Sequence, residues 1–163
     1  MKYVLDTNVF ITAKNTYYAF DLVPRFWVEL VRLAALGTLK SVDAVREEIL
    51  RGKDDLAAWA KHNATAIFDS TDSEPVVDSY QKVMTWVTNH PQFTPAAKAS
   101  FASGADGWVV AYAMTHHATV VTLETKVDPL ARSRVKIPNV ANEFGLRCIE
   151  TYGMLRELNM TLS

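Results

Sequence analysis

Tyr3-Val4-Leu5 is a β-favouring run that stops at once at Asp6-Thr7-Asn8, residues that favour turns and helix caps. The same alternation of short strand and helical pattern returns along the chain. Leu39 to Val42, Ala66 to Phe68, Thr119 to Thr122 and Arg147 to Ile149 read as further strands. Between them, helices are expected over Val9–Ala13, Pro24–Leu36 with Gly37 as its stop, Ala44–Leu50, Asp54–His62 and Val76–Thr88. Ser103 to Asp106 resembles a capping box opening a helix to His117, and two short helices, from Pro138 to Phe144 and Tyr152 to Leu158, close the pattern. Short strands separated by helices predict an α/β fold with a short, mostly parallel sheet.

The 163 residues suit a single domain, 1–163, able to bury a full core without disulfides or structural metals. Seventeen basic residues balance eighteen acidic ones, which excludes a globally basic nucleic-acid coater but not a local basic patch. One cysteine, Cys148, excludes a disulfide framework and a Cys-rich zinc module, and fits a reducing compartment. The apolar run from Trp108 to Met114 is far too short for a membrane span, and Asp6 follows too few apolar residues for a secretory leader. A cytoplasmic protein with no membrane partner is the expectation.

Four acids stand out. Ligands of parallel sheets bind beyond the carboxyl ends of the strands. Asp6 follows the first strand directly and Glu124 lies just past Thr119–Thr122, so both fall on that edge. At about 100° per residue, Asp106 shares the inward stripe of Val110, Ala113 and His117. Glu48 lies beside the Val42, Val45, Ile49 stripe, whereas Glu47 points to water. Each acid alone has a structural reading as a cap or rim residue. Together they repel: two charges about 4 Å apart cost roughly 4 kcal/mol at an effective dielectric of 20. With no base at a neighbouring inward position, a hard divalent cation with oxygen ligands, Mg²⁺ or Mn²⁺, is the natural partner. Such ions suit phosphoryl chemistry.

Val4-Leu5-Asp6-Thr7-Asn8, Ser41-x-x-x-Val45-x-x-Glu48-Ile49, Gly104-Ala105-Asp106 and Val120-Val121-Thr122-x-Glu124 resemble, in order, the motifs of the PIN-domain nucleases (PilT N-terminus). Tyr18-x-x-Asp21-x-x-Pro24-x-x-Trp27 and Val135-Lys136-Ile137-Pro138-Asn139-Val140 look like marks of an uncharacterised PIN subgroup related to the VapC-type toxins. The resemblance implies a three-layer α/β/α sandwich and a metal-dependent endoribonuclease cutting single-stranded RNA. Asp6, Glu48, Asp106 and Glu124 would hold Mg²⁺ or Mn²⁺, with Asn8 and Thr122 positioning ligands or the attacking water. It also implies a homodimer and, on the VapC side, a toxin with a cognate antitoxin. Two departures stand against the pattern: Glu124 replaces a commoner Asp, and the stretch 54–103 is longer than in compact members, a helical insertion.

Lys126, Arg132, Arg134 and Lys136 follow Glu124 and could hold an RNA backbone; Lys14 and Arg25 could extend the patch. Trp108 lies off the Asp106 stripe and is expected as an exposed interface or base-stacking aromatic. His116-His117 lacks further ligands for zinc. Two rival functions remain open. A haloacid-dehalogenase-type phosphatase also opens with an acid after its first strand, but it needs an acid where Asn8 stands. A non-catalytic RNA- or protein-binding module of the same fold would need none of the four acids.

Overall fold

Every residue of β1 (Tyr3–Leu5) is buried, as a strand covered by helices on both faces must be. In the computed structural model, which describes residues 1–163, β1 is the centre of a five-stranded, all-parallel sheet. The other strands are β2 (Leu39–Val42), β3 (Phe68–Asp69), β4 (Thr119–Val121) and β5 (Cys148–Ile149), in the order β3-β2-β1-β4-β5. Tyr3 pairs with Leu39 on one side and Thr119 on the other. The chain builds outward from β1 to β3, then crosses back to β4. The sheet therefore has its topological switch between β1 and β4, where parallel α/β folds open a crevice.

Ten helices complete a three-layer α/β/α sandwich. They are α1 (Thr7–Thr12), α2 (Pro24–Ala35), α3 (Asp43–Leu50), α4 (Asp55–His62), α5 (Ala64–Ile67), α6 (Glu74–Asn89), α7 (Pro95–Ser103), α8 (Asp106–His116), α9 (Ile137–Glu143) and α10 (Thr151–Glu157). One cluster of buried apolar side chains runs from Tyr3 to Leu155. No helix is long and apolar enough to cross a membrane.

Several local expectations are corrected. Ala66 and Ile67 belong to a single helical turn rather than a strand, and Lys40 Nζ donates to the Ala66 carbonyl at 2.8 Å. Helix α7 is unforeseen; Thr94 Oγ1 caps it by accepting from Ala97 N at 3.1 Å, and Pro95 takes the first-turn position where its missing N–H costs nothing. No capping box forms ahead of α8, because Ser103 donates instead to the Ser100 carbonyl. That helix stops at His116, since His117 adopts a left-handed φ of 52°. Trp108 is half-buried and stacks on Tyr80 at 3.7 Å, so it is not an exposed platform. Helix α1 does not end at Ala13 but widens into a π-helical turn over Ala13–Tyr17.

Phe10 is fully buried under the sheet between Trp59, at 6.0 Å, and Phe68, at 5.7 Å. Phe10→Ala is expected to cost about 3–5 kcal/mol, read as a lowered urea midpoint at unchanged slope.

Candidate active site

The end of β1 delivers Asp6 into the switch crevice. It is the N-cap of α1, 3% exposed, and its Oδ1 accepts from Thr7 N at 2.6 Å. At the neighbouring strand end Thr122, 2% exposed, donates its hydroxyl to Asp6 Oδ2 at 3.1 Å. The same hydroxyl oxygen accepts from Glu124 N at 3.4 Å, which ties the Glu124 backbone to the crevice. Ser41, fully buried in β2, donates to the Leu5 carbonyl at 2.7 Å and fixes the residue just before Asp6.

Glu48 approaches from α3, while Glu47 faces solvent as its helical position requires. Both Glu48 oxygens are engaged. Oε2 accepts from Thr7 Oγ1 at 2.7 Å and Oε1 from Ala105 N at 2.9 Å. Glu48 thus satisfies a free N–H at the start of α8, which has no side-chain cap of its own. Asp106, the first residue of α8, is half-buried in a cleft of about 240 Å³ shared with Glu48, Ser100, Ser133 and Arg134.

The chain holds these acids under electrostatic stress. Burial pushes the Asp6 carboxyl up to about 6; hydrogen bonds from Thr122 and Thr7 restrain it, and the charges of Glu48 and Glu124 add to the rise. Asp106 is pushed up to about 7, first by burial and then by Asp6 and Glu48, with Arg134 pulling the other way. Arg134 is the cation the chain itself supplies here, and its Nη1 meets Glu124 Oε1 at 2.7 Å. As placed, no three carboxylates converge on one point: Glu48 is spent on Thr7 and Ala105, and Glu124 on Arg134. The donor set is nonetheless all carboxylate and hydroxyl oxygen around two acids that resist ionising, which fits a hard divalent cation.

The remaining expected residues divide. Asn8 is exposed on α1, whereas Asp6 and Thr122 are buried. Of the four bases after β4, Arg134 lines the cleft; Lys136 pairs with Asp128 at 3.5 Å, and Lys126 and Arg132 are exposed. Asn139 organises this loop, donating to the Asp128 carbonyl and accepting from its N–H, both at 2.8 Å. Lys14 is bound to Asp54 and Asp55, and Arg25 to the Ser163 carbonyl, so neither joins the patch. Cys148 is a half-buried thiol pushed up to about 11 by burial and the Asp6 charge, and is no nucleophile. Sequence reasoning missed the role of Thr7 and the Ala105 amide. Thr7 was visible inside the first motif, but a threonine beside a cap carries no signal of a partner 41 positions away.

An all-parallel sheet with buried acids at its switch point defines an α/β protein with an acidic crevice. More particularly, the chain belongs to the family described as a domain of unknown function (DUF4411), whose model matches residues 3–162. No curated protein and no solved structure matches it.

A carboxyl raised by folding stabilises the fold while protonated, and that contribution is lost as pH rises from about 4 towards its folded value. In EDTA, the wild-type urea midpoint should therefore fall relative to that of Asp106→Asn between pH 5 and 8. Equal pH profiles of the two proteins would contradict the strained acid.

Proposed function

We propose that the chain is a metal-dependent endoribonuclease of the PIN-domain kind, hydrolysing RNA phosphodiester bonds with Mg²⁺ or Mn²⁺ held by Asp6, Glu48, Asp106 and Glu124. The observation that carries this reading is the crevice at the β1–β4 switch. Four acids from four separate segments act on one another electrostatically there, two of them are raised towards neutrality, and Arg134 is the counter-charge that opposes the rise. A bound divalent cation would supply a more acidic attacking water and charge neutralisation at the phosphate. Thr122 and the Thr7 amide hold the Asp6 carboxylate in one orientation. Thr7 Oγ1 and the Ala105 amide do the same for Glu48. Asp106, raised by burial and charge with no hydrogen bond restraining it, is the acid freest to take up a cation.

Arg134 plays two parts on this reading. In the free protein it neutralises Glu124; with RNA bound, its guanidinium turns to a phosphate, for which its fork geometry is suited. Exposed Lys126 and Arg132 extend the backbone contact. The single cysteine fits work in a reducing cytoplasm. A toxin role with a cognate antitoxin, and a homodimer, rest on the sequence resemblance alone.

The test is cleavage of a mixed single-stranded RNA panel in Mn²⁺, Mg²⁺ or EDTA. Cutting is expected only with metal, and Asp6→Asn and Asp106→Asn should each reduce it to the EDTA level while leaving the apo fold at least as stable. Wild-type-like cutting by both variants would sink the four-acid site. Arg134→Ala should raise KM for RNA and tighten apparent Mn²⁺ affinity, because Glu124 is released; weaker Mn²⁺ binding would contradict its role as stand-in cation.

A further inference from the structure

Beside the acid crevice lies a second, unassigned pocket of about 230 Å³, lined by Val9, Ala13, Tyr17, Leu123, Glu150 and Tyr152 among others. Part of its lining comes from the same two chain segments that carry Asp6 and Glu124. Leu123 sits between Thr122 and Glu124, and Val9 is one helical turn beyond Asp6 on α1. Two aromatic rings form its mouth: Tyr17 is 59% exposed and Tyr152 40%, and they meet edge to face at 5.7 Å. The residues that hold them are specific. The π-helical turn of α1 carries Tyr17 outward, a widening that recurs at functional positions. Behind it, Tyr18 stacks on Phe26 at 4.3 Å, and Trp27 Nε1 donates to the Tyr18 carbonyl at 2.6 Å. The Tyr18, Pro24 and Trp27 pattern thus braces this wall rather than the acid site.

The chemistry of the lining selects its occupant. The pocket contains no lysine or arginine, and Glu150 brings a carboxylate that forms no ion pair and leaves the start of α10 uncapped. A phosphate is repelled there. A flat, aromatic group with N–H donors on its edge is favoured, stacking on tyrosine and donating to Glu150. We propose that this pocket is a nucleobase subsite for the nucleotide next to the scissile phosphate, and that it prefers guanine. Guanine presents adjacent ring and exocyclic N–H donors that match the two oxygens of Glu150. The assignment rests on the ribonuclease reading for its substrate, but its test does not need cleavage.

The probe is a pentaribonucleotide, UUXUU with 2-aminopurine at X, added to the full-length Asp106→Asn chain in EDTA and in Mg²⁺. Stacking is expected to quench its emission saturably. Tyr17→Ala with Tyr152→Ala should raise the apparent Kd at least fivefold; Tyr17→Leu alone, at a largely exposed position, serves if the double variant does not fold. Among unlabelled competitors, UUGUU should displace the probe at lower concentration than UUAUU, UUCUU or UUUUU, and Glu150→Gln should erase that ranking. Absence of quenching in both conditions, or equal quenching with the tyrosine variants, overturns the subsite. So does a dimer in light scattering that the tyrosine substitutions dissociate while no base binds, since a second copy would then fill the pocket. Failure of the ribonuclease reading is seen separately, as wild-type chain that cuts nothing in any metal while the quenching persists.

Discussion

The two hydrogen bonds of Glu48 join parts of the chain that the sheet alone leaves independent. Through Thr7 its carboxylate reaches the helix that Asp6 caps; through Ala105 it reaches the helix that begins at Asp106. The acid at the end of the central strand and the acid at the head of α8 are thereby held across one cleft. Both bonds are short, at 2.7 and 2.9 Å. Without this bridge α8 would start on an unsatisfied amide, and the crevice would lose the wall that sets its width.

That arrangement has a cost spread over the rest of the crevice. Burial and mutual repulsion make two of the acids reluctant to ionise, and the chain answers with one arginine from a loop rather than with a lysine built into a strand or helix. The loop itself is kept in shape by Asn139, whose amide closes a ring of two hydrogen bonds with Asp128. The apolar side of the fold is conventional by comparison, with Phe10, Trp59 and Phe68 packed under the sheet.

The α/β class, the parallel sheet and the inward placing of Glu48 against Glu47 were legible because periodicity and strand–helix alternation are local signals. So was the edge that Asp6 and Glu124 share, since strand ends locate it. What could not be read are partnerships between distant segments. The stack of Trp108 on Tyr80 depends on how α6 lies along α8, which no spacing reveals. The missing cap of α8 is filled from 57 positions away. Ala66 and Ile67 have strand-like neighbours, but a single helical turn there leaves the Ala66 carbonyl to a lysine on β2. The longer stretch 54–103 falls inside the span matched by the family, and its helices α6 and α7 press so closely on α8 that a Cβ at Gly107 would come within 3.1 Å of Phe101 and Tyr80.

Asp6 and the hydroxyl that holds it are 116 residues apart in the chain. On a ribosome adding about 5–20 residues per second, that separation is on the order of ten seconds of synthesis. For all of that time the amino-terminal acid lacks its Thr122 hydroxyl, since neither β4 nor Arg134 has yet been made. A fragment that stops short of β4 has no crevice at all. The acidic centre therefore comes into being only when β4 and the loop bearing Arg134 have been made, and any product that ends before them lacks it.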